Sequence, residues 1–149
     1  MGAICQKSKE GLYVESREEG LTQTFFQTKV YPGFPTDLQS LLLPVLTRYD
    51  VKTVVDETIF ENRFRVVDEL QKMGANIQKI CSGRVEIQKS DLKGAEVEAK
   101  ELRGGAALVI AGLMANGITV VKNCEYIARG YENICKDLQD LGARLYCST

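Results

Sequence analysis

The sequence predicts an α/β protein assembled from a repeated strand–helix unit, and three observations carry that expectation. The segment Glu69-Leu-Gln-Lys-Met-Gly-Ala75 returns as Asp137-Leu-Gln-Asp-Leu-Gly-Ala143. Thr53-Val-Val55 returns as Thr119-Val-Val121. Ten residues beyond each of those threonines stands an arginine, Arg63 and Arg129. Self-similarity of this kind marks one supersecondary unit used more than once, here of about 66–72 residues. Met1-Gly2-Ala3-Ile4 matches the same helix-end pattern and reads as a third copy cut off at its helix.

Each element has a local reason. Residues 11–31 read as strands: Gly20 marks a turn, and Thr22 to Tyr31 is rich in β-branched and aromatic residues. Pro32-Gly-Phe-Pro35 interrupts that pattern. Thr36 is expected to cap a helix, with Gln39 at the capping-box position and Leu38, Leu41, Leu42 and Val45 following at helical spacing. Thr53-Val-Val55 is a short buried strand. Phe64 to Met73 is amphipathic and closes at Gly74, the residue type that ends helices in the left-handed conformation. Strands are expected around 75–81, 84–88 and 94–98. A helix over roughly 104–116 ends near Asn116-Gly117. A strand at 118–122, a helix at 131–141 and a strand at 143–147 complete the chain.

A chain of 149 residues can bury roughly 68–70% of its unfolded surface in one domain. Its 19 basic and 20 acidic side chains leave a formal charge of −1, which gives a nucleic-acid or membrane-surface partner no electrostatic footing. No apolar run approaches the roughly 20 residues of a membrane span. The opening Met-Gly-Ala-Ile-Cys-Gln-Lys has no signal-peptide core. Cys5, Cys81, Cys124, Cys135 and Cys147 are odd in number and follow no secretion signal. They are expected as reduced, inert packing thiols in a cytoplasmic compartment. With no CxxC pair and no histidine, no metal and no cofactor are expected. The missing histidine also removes the usual general base, so any proton transfer falls to Asp, Glu, Lys, Tyr or Cys.

Several places could carry chemistry. Arg63 and Arg129 hold equivalent positions, each at the entry to a helix. They are either charges kept by duplication or guanidinium forks turned toward one shared anion site, because pseudo-symmetry brings equivalent positions near an axis. Asp37 lies in the first turn of a helix. It is either a carboxylate that complements the helix dipole or a proton acceptor kept ionised by it. Arg103-Gly-Gly-Ala-Ala107 opens another helix. Its glycines either expose N–H groups as an anion cradle or permit close packing, and the P-loop pattern is missing. Arg129-Gly-Tyr-Glu132 is a turn into a helix or a cation beside a phenol. Glu61-Asn-Arg-Phe64 reads equally as an ion pair with a capping asparagine. Together these point to a small ligand with two or three negative charges, and spacing alone does not name it.

Phe34-Pro-Thr-Asp-Leu-Gln39, Glu57-Thr-Ile-Phe-Glu-Asn-Arg-Phe64, Met73-Gly-Ala75, Leu92-Lys-Gly-Ala95, Glu101-Leu-Arg103 and Arg129-Gly-Tyr-Glu132 occur in that order. From about residue 2 onward the chain resembles the C-terminal stretch of the UDP-N-acetylglucosamine enolpyruvyl transferases. The Glu57–Phe64 segment separates it from the shikimate-pathway relative, enolpyruvylshikimate-phosphate synthase. The resemblance implies an inside-out α/β barrel of two domains, each of three repeated units with helices inward and sheets outward. Residues 1–149 would be about two of the three units of one domain. The implied reaction moves the enolpyruvyl group of phosphoenolpyruvate to the 3-hydroxyl of UDP-N-acetylglucosamine and releases phosphate, in peptidoglycan biosynthesis.

The resemblance also assigns roles. Asp37 matches the aspartate that contacts the sugar hydroxyl and acts as proposed general base. Ile59 matches a backbone contact to the UDP-sugar. Arg103 and Arg129 match arginines that hold phosphoenolpyruvate, and Arg63 matches another active-site arginine. The family's N-terminal Lys-Asn pair, its catalytic-cysteine loop and its uridine-binding residues have no counterpart here, and none of the five cysteines sits in that loop context. The chain is therefore expected as a fragment, a split gene product or a truncated gene, with a complementing N-terminal chain as partner and little turnover alone. The competing readings are a non-catalytic remnant that binds anions or packs against a partner, and the shikimate-pathway relative.

Overall fold

A computed structural model of the chain describes residues 3–16 and 21–147. The expected turn at Gly20 and the Met1-Gly2 part of the third copy lie outside the described residues. The chain opens with a hairpin of β1 (Ala3–Lys7) and β2 (Leu12–Ser16). The first full unit follows: β3 (Phe25–Gln27), α1 (Thr36–Leu46) and β4 (Thr53–Asp56). A 3₁₀ turn over Arg63–Arg65 then runs into α2 (Val66–Lys72), and the hairpin β5 (Asn76–Cys81) and β6 (Arg84–Gln88) ends the unit. The second unit repeats the order as β7 (Glu96–Glu98), α3 (Leu102–Met114), β8 (Val120–Lys122), α4 (Glu125–Ala128) and α5 (Ile134–Asp140).

The repeat holds down to single hydrogen bonds. Gly74 (φ +87°) and Gly142 (φ +91°) end α2 and α5 in the left-handed region, where only glycine sits without strain. Their N–H groups donate to Gln71 O at 2.9 Å and Gln139 O at 2.8 Å. The next residues, Ala75 and Ala143, donate to Leu70 O at 3.1 Å and Leu138 O at 2.9 Å. Gln71 Nε2 donates to Ile77 O at 2.6 Å and Gln139 Nε2 to Leu145 O at 2.7 Å. The strands repeat as well: β3 runs parallel to β4 with Phe25 opposite Val54, and β7 parallel to β8 with Glu96 opposite Val120. In the first unit β4 also pairs with the β5–β6 hairpin, giving the order β3-β4-β6-β5. This is the α/β repeat the sequence predicts.

The core lies between α1, α2, α3 and the inner faces of β4 and β6. Leu43, Leu46, Val55, Val67, Leu70, Val85 and Ile87 are fully buried there. Burying each of these side chains is worth about 1.5–3 kcal/mol. The apolar face of α1 is not the expected one: Leu42, Leu43 and Leu46 are buried, while Leu38 is 50% exposed and Val45 half-buried. Three consecutive leucines fit several helical faces, and packing against α3 selects one.

Five further expectations need correction. Thr36 does not cap α1; Pro35 precedes the helix with no side-chain cap, and the Thr36 hydroxyl instead donates to Glu57 Oε2 at 2.8 Å. α3 starts two residues early because Glu101 caps it. Residues 143–147 form no strand, since no antiparallel partner like β6 stands beside them among the described residues. Cys135 and Cys147 are not reduced thiols but a disulfide: the Gly142 turn folds the chain back along α5 and brings the two Cα atoms to 6.4 Å, within bridging range. Cys5, Cys81 and Cys124 are free but exposed, so they are not packing residues.

Candidate functional site at the paired helix starts

α1 and α3 lie side by side and point the same way. Their first turns meet, and their last turns together line a groove of about 420 Å³ at the other end, with Thr47, Met114 and Arg48 among its walls. Asp37 and Arg103 are the second residues of the two helices, so they occupy equivalent places in the two units. Arg103 Nε stands 2.5 Å from Asp37 Oδ1. The N–H does not align with the carboxylate, so this is an ion pair rather than a well-directed hydrogen bond. Arg63 reaches the same place from the 3₁₀ turn. Its Nη2 lies 3.6 Å from Asp37 Oδ1 and its Nη1 3.9 Å from Glu101 Oε2, with the guanidinium 4.8 Å over the Phe60 ring. Asp37, Arg63 and Arg103 are thus brought together.

The electrostatics follow from those contacts. The interaction with Arg103 holds the Asp37 carboxyl below its usual range; slight burial opposes that, and the charges of Arg103 and Arg63 reinforce it. Asp37 is 59% exposed, so it remains reachable from solvent while ionised. The same pairing raises the Arg103 pKa, with Glu101 and Tyr131 adding to it.

Two glutamates that sequence reasoning did not assign build the frame. Glu101 caps α3, accepting from Arg103 N at 3.0 Å and from Gly104 N. Of the two readings of Arg103-Gly104-Gly105, the anion cradle is filled by the chain's own carboxylate. The glycines serve packing instead: a Cβ on Gly105 would come within 2.6 Å of Ile127, and one on Gly104 within 2.7 Å of the Glu101 carboxylate. Glu57 is buried. It accepts from Thr28 Oγ1 (2.9 Å), Thr36 Oγ1 (2.8 Å), Ile59 N (2.8 Å) and Phe60 N (3.1 Å). Burial alone would push its carboxyl up, but these donors outweigh it and hold the pKa below its ordinary value. One carboxylate so ties the end of β3, the start of α1 and the loop carrying Ile59. The Ile59 N–H is consumed inward.

Arg129 stands apart in its pairing. It follows α4, is exposed, lies 5.1 Å over the Tyr126 ring, and forms no ion pair with a described residue. Gly130 beside it packs on Leu102, where a Cβ would meet the side chain at 2.7 Å, so Arg129 flanks the start of α3. The capping asparagine expected before Arg63 does not form: Asn62 adopts φ +59° with no side-chain cap, and Arg63 pairs with Asp37 and Glu101 rather than Glu61. The described residues contain no group of three or more acids or cysteines arranged to hold a metal, and none of their helices is long and apolar enough to cross a membrane.

Comparison with known proteins decides the family. Residues 1–138 match the family described as EPSP synthase (3-phosphoshikimate 1-carboxyvinyltransferase). The chain belongs to this family. Among its members, UDP-N-acetylglucosamine 1-carboxyvinyltransferase 2 of Bacillus subtilis is 42% identical over 98% of the chain. UDP-N-acetylglucosamine 1-carboxyvinyltransferase of Halothermothrix orenii is 46% identical over 96% of it. In both, the match covers 34% of the relative, so the chain spans about a third of the length of these curated relatives. In fold, the enolpyruvyl transferase NikO from Streptomyces tendae superposes with a TM-score of 0.84 over 97% of this chain and 33% of that one, at 24% identity. The family assignment and the α/β repeat therefore agree.

Proposed function

We propose that this chain, as part of one of the enzyme's two domains, supplies one wall of the active site of a UDP-N-acetylglucosamine 1-carboxyvinyltransferase. Its substrates are phosphoenolpyruvate and UDP-N-acetylglucosamine, its pathway is peptidoglycan biosynthesis and its compartment is the cytoplasm. The observation that carries this reading is the convergence of Asp37, Arg63 and Arg103 at two helix starts, in a chain 42–46% identical to proteins of that name. Asp37 accepts the proton of the sugar 3-hydroxyl as that oxygen adds to C2 of phosphoenolpyruvate, the C2–C3 π pair taking up a proton at C3. Loss of a C3 proton then restores the double bond as the bond from C2 to the phosphate oxygen breaks, and the hydroxyl proton leaves with phosphate in the overall balance. Arg103 and Arg129 hold the phosphate and carboxylate, Arg63 stabilises charge beside them, and the Ile59 backbone meets the sugar. Fixed guanidinium groups do this without reorganising as charge shifts. A complementing chain furnishes the other wall.

The test is phosphate release from the two substrates, with this chain alone and with a second chain carrying the remaining two thirds of the Bacillus subtilis relative. Turnover is expected only in the mixture. Asp37→Asn or Arg103→Ala should lower it by about 10²–10³-fold, the usual cost of one charge-stabilising group. Phosphoenolpyruvate binding with no turnover in the mixture would instead support the non-catalytic anion-binding remnant.

A further inference from the structure

The loop that carries Ile59 is held by side chains. Its three successive N–H groups donate to them: Thr58 N to Thr28 Oγ1 at 2.9 Å, and Ile59 N and Phe60 N to Glu57 Oε1 at 2.8 and 3.1 Å. Glu57 also fastens the opposite side of the site. Its Oε2 accepts from the Thr36 hydroxyl at 2.8 Å, and Thr36 directly precedes Asp37 in α1. The backbone of Glu57 is fixed in turn. Its N–H donates to Gly83 O at 2.8 Å, and a Cβ on Gly83 would come within 2.9 Å of Glu57 O. The carboxylate thus stands at a set point, with one oxygen toward the Ile59 loop and the other toward α1.

Stability alone does not call for a carboxylate there. Glu57 is buried, and the four groups that donate to it are all neutral. A buried charge without a counterion is costly. What it adds is acceptor capacity, two oxygens with about four lone-pair sites, enough for all four donors at once.

The reach of Glu57 is one-sided. Through Thr36 it sets Asp37, and through the Ile59 N–H it sets the loop. Through the Phe60 N–H it holds the residue whose ring lies 4.8 Å under the Arg63 guanidinium. The other two arginines are placed by different means: Glu101 accepts from Arg103 N at 3.0 Å, and Gly130 seats Arg129 on Leu102. We propose that Glu57 is a positioning residue for the sugar-nucleotide side of the site, setting Asp37 and the Ile59 loop and leaving Arg103 and Arg129 in place. That the side so set meets the sugar nucleotide rests on the function proposed above; the tether itself does not.

The test uses Glu57→Gln, which keeps the shape and removes the charge that strengthens these bonds. In the chain alone, the Ile59 and Phe60 amides should exchange with deuterium about tenfold faster, with sheet amides such as Val55 unchanged. Thr36→Val cuts only the tie to α1. It should leave those amides as they are and move the Asp37 carboxyl carbon resonance, and Thr36→Ser should restore it. In the mixture with the second chain, Glu57→Gln and Thr36→Val should each raise KM for UDP-N-acetylglucosamine about tenfold and leave KM for phosphoenolpyruvate within about twofold. Unchanged exchange at Ile59 and Phe60 in Glu57→Gln, or KM values that rise together, would overturn the proposal. Faster exchange beside a wild-type mixture without turnover supports the tether and counts against the proposed function, so the two failures are told apart.

Discussion

The helices α2 and α5 end in the same turn, hydrogen bond for hydrogen bond, yet only one of them has a core. α2 buries Val66, Val67, Glu69 and Leu70, whereas no residue of α5 is buried. α2 is covered by α3 and β7 of the following unit; among the described residues nothing covers α5 in the same way. The difference shows two physical causes acting on different links. A glycine and the residues around it decide where a helix stops, and that decision is local. The next unit decides whether the helix face becomes interior, and most helical stability in a protein comes from that packing.

Leu70 and its counterpart Leu138 probe the contrast most strongly. Leu70→Ala should cost about 2–5 kcal/mol in urea unfolding and Leu138→Ala about 1 kcal/mol or less; equal losses would break the distinction. Glu69 and Asp137 come next. Burial alone would push the Glu69 carboxyl up, but Lys72, Lys100 and the Glu98 N–H hold it at about 2, from an ordinary value of 4.5. A depressed folded pKa gives stability that is present above the unfolded value and lost as pH falls through the folded one. The loss between about pH 4.5 and 2 should amount to roughly 3 kcal/mol. Glu69→Gln should flatten that acid limb, while Asp137→Asn, at an exposed position, should change stability by about 0.5 kcal/mol or less; an acid limb unchanged in Glu69→Gln would remove the assignment.

Gly74→Ala and Gly142→Ala sharpen the other half. Both glycines lie at φ near +90°, and each substitution should cost about 1–2 kcal/mol regardless of coverage. Thermal melts showing a loss at only one of them would mean the turn is not a purely local device. The smallest effect belongs to the exposed Lys136–Asp140 pair on α5, at 2.7 Å. Lys136→Ala should cost about 0.3–0.5 kcal/mol at low salt and nothing measurable in molar salt.

These contrasts also mark what a sequence makes legible. The repeat exposed the α/β class and the helix-closing glycines, because duplicated local patterns survive in linear text. Asp37 was visible as a helix-start acid. The roles of Glu57 and Glu69 were not, because each depends on donors brought by other segments: Thr28 and Thr36 for Glu57, Lys100 for Glu69. Thr36 looked like a cap because its spacing to Gln39 fits one, and a buried acid twenty-one residues away in sequence claimed its hydroxyl. The Cys135–Cys147 bridge was missed because an odd cysteine count says nothing about which two a turn will bring together.

The pairing of Arg63 and Arg103 with Asp37 and Glu101 has a consequence for any anion that arrives there. It meets guanidinium groups that already carry counterions, and those counterions are tethered to the same scaffold. Binding is then an exchange rather than a neutralisation. A tethered competitor acts at an effective concentration in the millimolar range or above, so a chloride or a simple monocarboxylate at lower levels gains little by displacing it. A molecule with two anionic groups on a rigid frame engages two forks at once and wins the exchange. On the function proposed above, the resident carboxylates thereby set a threshold on ligand charge that acts before selection by shape begins.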